Sequence, residues 1–177
     1  MVWPMGEEAE VAIRTARVDD AASIARVHIA SWQQAYEGIV PADYLRALDP
    51  ADRTERWATD LRNAERDGVR TWVADDGGRI LGFASVGPAR DEDASREQEE
   101  IYSMYLDPTM WGKGVARDLM RTVLNAVRSG TPVSLWVLAA NERARHFYRR
   151  HGFTPDGSER MEEFGGAPLL EVRLRRG

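Results

Sequence analysis

The apolar positions along the chain change period several times, and each change marks an element. Residues 11–16 form a short apolar-rich run that reads as a strand. Asp19 or Asp20 then stands as an N-cap for a helix with Ile24, Val27, Ser31 and Ala35 at helical spacing, broken by Gly38 and Pro41. A second helix is expected from Pro41 through Tyr44, Leu45 and Leu48, and a third over about residues 51–63, where Trp57 and Leu61 lie four apart. The period then shortens. Residues 71–74 and 80–86 read as strands around Asp75-Asp76-Gly77-Gly78, a hairpin turn signal. Residues 90–99 are acidic and polar and predict a surface loop.

Residues 101–106 make a further strand, closed by Asp107-Pro108. Gly112 and Gly114 introduce an amphipathic helix carrying Val115, Leu119, Met120, Val123, Leu124 and Val127. After Gly130 and Pro132, residues 133–139 form an apolar run that fits a strand buried on both faces. Asn141 caps a short helix with Ala144, Phe147, Tyr148 and His151, ended at Gly152. Residues 153–161 and 169–174 read as a closing strand pair, and the terminal arginines from Arg173 as part of a solvated strand. The fold class is α/β, with a strand, a glycine loop and a helix at its centre.

Composition narrows the function classes. The 177 residues suit one domain at roughly 150 residues per domain, with the first ten expected to be a flexible extension. The net charge of −5 gives no reason to expect nucleic acid. No cysteine is present, which removes disulfides, thiolate metal sites and Cys nucleophiles. His28, His146 and His151 show no HExxH pattern, so no metal is expected. Acids near the start argue against a signal peptide and no run suits a membrane span, so a cytoplasmic protein without a membrane partner is expected. Lys113 is the single lysine among 24 basic residues, and it falls between two glycines.

That position matters because a strand feeding a glycine-rich turn and then a helix leaves several backbone N–H groups aimed at one spot, where the helix dipole favours an anion. Gly112 and Gly114 allow close backbone approach, and Lys113 and Arg117 add cations. The letters fit neither Walker A, since Gly114 follows Lys113, nor a dinucleotide fingerprint. Residues 82–87 likewise miss the Gly-x-Ser-x-Gly elbow.

The segment Trp111-Gly-Lys-Gly-Val-Ala116 resembles the Gln/Arg-x-x-Gly-x-Gly/Ala loop of the GNAT superfamily of N-acyltransferases, and residues 141–153 are similar to its Asn-x-x-Ala-x-x-Phe-Tyr-x-x-x-Gly-Phe segment. Ser31-Trp32 through Tyr36, with Val40-Pro41, resembles a bacterial branch of small members. One letter departs: Trp111 stands where the motif has Gln or Arg. The resemblance implies a mixed sheet of about seven strands, split between central strands and flanked by about four helices. It also implies transfer of an acetyl group from acetyl-CoA to a primary amine by direct attack, with a homodimer as one possible assembly.

By the same resemblance, residues 112–116 cradle the cofactor phosphates, with Trp111 and Arg117 beside them. Backbone N–H groups near Tyr105 and Leu106 polarise the thioester if the strand carries a β-bulge. Tyr148 is the general acid, and its phenol, of ordinary pKa about 10, can protonate a thiolate whose conjugate acid lies near 8.5. Asn141 and Phe147 join the cofactor side. Glu100, or a water it holds, is the base, whereas strand alternation sends Glu99 to the opposite face. Trp32, Tyr36, Glu100 and Tyr102 line the acceptor pocket. The alternative from another class is a catalytically silent acyl-CoA-binding regulatory domain, suggested by Trp111.

Overall fold

A computed structural model describes residues 10–177; residues 1–9, most of the expected N-terminal extension, lie outside the described residues. The elements run β1 (Ala12–Thr15), α1 (Ala21–Ala35), α2 (Ala42–Arg46), α3 (Pro50–Asp67), β2 (Arg70–Asp76), β3 (Arg79–Pro88), β4 (Glu99–Leu106), α4 (Val115–Ala126), β5 (Val133–Leu138), α5 (Glu142–Arg150), β6 (Thr154–Phe164) and β7 (Ala167–Arg176). Four of the five α-helices have more than six residues, and short 3-10 turns precede α1 and follow β4. Asp20 does not cap α1 with its side chain: its carboxylate takes two hydrogen bonds of 2.8 Å from the Arg14 guanidinium and one of 2.7 Å from the Arg17 amide.

The strands form one mixed sheet in the order β1-β2-β3-β4-β5-β7-β6. Its faces are covered by different helices. On one, Val73, Ile80 and Phe83 bury Ile24 and Val27 of α1 and Trp57 of α3. On the other, Leu81, Leu106 and Leu135 pack against Leu119, Met120 and Val123 of α4. His28, on α1, belongs to the first layer: it stacks on Tyr105 with ring centroids 5.1 Å apart, and its Nδ1 accepts from Trp57 Nε1 at 3.1 Å.

Two irregularities shape the sheet centre. Strand β4 pairs with β3 as Ser85↔Ser103 but then Val86↔Ile101, so Tyr102 is an extra residue, a β-bulge. Its ring lies over Gly87, where an added Cβ would stand 2.8 Å from the phenol oxygen. On its other edge β4 meets β5 in parallel at Glu99↔Val133 and Glu100↔Ser134 only, after which the strands diverge. Strand β5 continues to pair with β7 along its whole length.

The expected polar loop and solvated arginines turn out to be one structure. Arg173 is 6% exposed. Its guanidinium donates to Asp93 at 2.6 and 2.7 Å, to Asp91 at 3.1 Å and to Asp156 at 2.7 Å, fastening the β3–β4 loop to the β6–β7 side. Alternation along β7 could not reveal this, because the three carboxylates lie on other elements, two in the β3–β4 loop and one on β6.

Candidate active site

The divergence of β4 and β5 opens a cleft of about 1160 Å³. All the expected site residues line it except Val115, whose side chain is buried under α4 while its backbone starts that helix. At one end lies the glycine loop. Gly112 has φ +77° and Gly114, the N-cap of α4, has φ +88°, a conformation that a β-carbon disfavours. Among the described residues no side chain caps α4, and its first backbone bond is from Asp118 to Gly114 O at 3.1 Å. The amides of Val115, Ala116 and Arg117 therefore lack acceptors within the described residues. Three converging donors at a helix N-terminus, with Lys113 and Arg117 exposed beside them, suit a phosphate group.

Midway along the cleft, the geometry separates Tyr105 from Leu106. The Asp107 amide donates to Leu81 O at 2.8 Å, so ladder alternation also turns the Tyr105 amide toward β3 and leaves the Leu106 amide facing the gap. Tyr105 reaches the cleft with its ring instead. The bulge lies at Tyr102, earlier in the strand than expected.

From the facing wall, α5 presents Phe147 and Tyr148. Asn141 Oδ1 accepts from the Ala144 amide at 3.2 Å and so fixes the helix start. The Tyr148 ring packs edge-on to Phe147 and Phe153 at 5.5 and 6.0 Å. Burial pushes its phenol well above the ordinary value of 10, with the neighbouring Tyr105 adding to the effect. The group thus keeps its proton at neutral pH.

The far end is charged. Glu100, 2% exposed, accepts from Arg90 through Oε1 at 2.7 Å and through Oε2 from the Arg90 amide at 3.0 Å. Glu99 turns the other way and pairs with Arg70, as alternation requires. The Arg90 guanidinium lies 4.0 Å from the Tyr102 ring centroid. Trp32 and Tyr36 close the wall, edge to face at 4.9 Å. Burial raises the Tyr36 phenol well above its usual range.

The structure adds residues that the sequence reading missed. Glu162, Glu171 and Arg160 also line this end, with Arg160 Nε donating to Glu171 at 2.7 Å. The period of two along β6 puts Arg160, Glu162 and Phe164 on one face, a legible signal. The pairing of β7 with β5, which carries that face into the cleft, is not written in any local pattern.

The profile of the Acetyltransferase (GNAT) family matches residues 29–153, more than half of the chain. The chain belongs to the GNAT acetyltransferase family. It is 31% identical over 168 residues to the uncharacterized N-acetyltransferase YuaI of Bacillus subtilis, covering 93% of this chain and 91% of that protein. Among solved structures, PaiA N-acetyltransferase from Thermoplasma acidophilum, in complex with coenzyme A, superimposes with a TM-score of 0.73 at 18% identity, over 94% of this chain and 98% of that one. The acetyltransferase yncA from Salmonella typhimurium, with its cofactor acetyl-CoA, gives 0.70 at 21% identity, over 94% and 92%. At those identities the likeness shows the fold, a split seven-stranded sheet, and this GNAT member shares it.

Proposed function

We propose that this acetyltransferase moves an acetyl group from acetyl-CoA to a primary amine by direct attack on the thioester. The observation that carries the reading is the alignment, along one cleft, of an uncapped helix start, an unpaired β4 edge and a half-buried phenol. Acetyl-CoA supplies the activated acyl group. The amides at the start of α4 hold its phosphates, and the Leu106 amide polarises the carbonyl oxygen as charge develops there.

As the C–N bond forms and the C–S bond breaks, the ammonium loses a proton and the departing sulfur needs one. Tyr148, a phenol protonated at neutral pH whose pKa burial raises further, donates it. Both Glu100 oxygens are engaged by Arg90, so Glu100 acts by orienting a water that takes the ammonium proton. Glu100, Glu162 and Glu171 give the acceptor end three carboxylates to two arginines, each arginine already paired, which favours a cationic amine.

Tyr148→Phe tests the assignment. Thiol release measured with a panel of primary amines should fall by about 10²-fold or more, while acetyl-CoA affinity by calorimetry stays within about threefold. An equal loss in both quantities would remove Tyr148 as the acid. Acetyl-CoA binding without amine-dependent release of CoA across the panel would favour a silent binding domain.

A further inference from the structure

Trp111 opens the glycine loop, and a neutral indole there can neither donate two parallel hydrogen bonds to a phosphate nor carry charge. The structure places a cation on it from another element. The Arg143 guanidinium, on the first turn of α5, lies 3.8 Å from the Trp111 ring centroid, and both residues line the cleft at its glycine-loop end. Stacking occupies only the flat face of a guanidinium; its N–H donors point outward around the edge.

Those donors meet no partner among the described residues. Arg90, Arg117 and Arg160 in the same cleft each pair with a carboxylate, whereas Arg143 makes no ion pair or side-chain hydrogen bond among the described residues. Among the described residues Lys113 and Arg150 also meet no carboxylate, but neither is held on a ring. Among the described cations of the cleft, Arg143 alone is held on a ring without also being held in an ion pair. Its backbone is fixed as well, because the Asn141 cap on the Ala144 amide sets the first turn of α5.

We propose that Trp111 and Arg143 form a phosphate-binding pair: Arg143 donates to a phosphate of coenzyme A, and Trp111 is the platform that positions it. Charge absent from position 111 is thereby returned from α5, and the cofactor bridges the two halves of the cleft through a side chain as well as through backbone amides. The proposal rests on the acetyl-CoA reading above.

Calorimetric titration of the purified full chain with coenzyme A and with dephospho-coenzyme A separates the two. Arg143→Ala, at an exposed position, should weaken coenzyme A by about tenfold. Arg143→Lys, which keeps the charge but not the flat fork, should fall between. Trp111→Ala should weaken binding in the same direction, and adding it to Arg143→Ala should cost no more than about a further twofold, since the platform has lost its cargo. Should Trp111→Ala unfold, Trp111→Phe, which keeps a ring, is expected to retain most of the affinity. A loss that persists with dephospho-coenzyme A assigns Arg143 to the pyrophosphate; a loss that vanishes assigns it to the 3′-phosphate. Wild-type binding with Arg143→Ala unchanged for both ligands overturns the pair alone. No wild-type binding overturns the pair together with the acetyl-CoA reading.

Discussion

His28 illustrates how a residue type can mislead at the smallest scale. It lies one helical turn from Trp32, yet its ring is spent on Tyr105 and Trp57. Burial, with help from the Arg53 charge, pushes its pKa down from the ordinary 6.5 to about 3. The unfolded chain therefore binds a proton that the folded chain refuses. The sign follows: stability is complete above pH 6.5 and is lost as the pH falls toward 3. Between pH 7 and pH 5 this single ring should cost about 2 kcal/mol. Urea denaturation of the wild type and His28→Gln at both pH values checks it; a parallel loss in the two proteins would rule it out. A second residue-scale expectation concerns Gly114. Its φ of +88° makes Gly114→Ala strained, at about 1 kcal/mol or more of stability, and the displaced α4 amides should lower coenzyme A affinity several-fold by calorimetry.

At the scale of elements, Arg173 turns a polar loop into a fixed wall. Replacing it by Met leaves Asp91 and Asp156, whose side chains are 15% and 17% exposed, without their cation. The loss should be about 2–4 kcal/mol, measured by urea midpoint, with faster hydrogen exchange over residues 89–98. Because that loop carries Arg90 to Glu100, the KM for the amine should rise while acetyl-CoA affinity stays close to wild type. Most elements were legible in the chain, since 3.6-residue and two-residue periods mark helices and strands directly. The glycine loop was legible for the same reason: its chemistry is in consecutive backbone amides. The Arg173 cluster, the Arg143 stack and the position of the bulge were not, because each depends on which strands become neighbours. The bulge at Tyr102 answers to the bare backbone of Gly87 on β3, a contact fixed only once β3 and β4 are in register.

Across the whole molecule the cleft is electrically polarised although the chain is acidic overall, at −5. Lys113, Arg117, Arg143 and Arg150 gather at the glycine-loop end, and Glu100, Glu162 and Glu171 at the other. On the reading proposed above, a polyanionic cofactor and a cationic amine would be drawn to opposite ends of one cleft. Raising the salt from about 0.05 to about 0.5 M shortens the screening length from over 10 Å to a few ångström, and coenzyme A affinity should fall several-fold by calorimetry. Insensitivity to salt would mean that the cations at the loop end do not act on the phosphates.

The two-rung contact between β4 and β5 has a consequence for the life of the protein. The seven strands form two groups that share two rungs, with α4 packed across both, and a ligand in the gap adds contacts to each group. A ligand present at a hundredfold its dissociation constant adds about 2.7 kcal/mol to the folded state. Starved of that ligand, the chain would breathe open along the seam and meet proteases sooner.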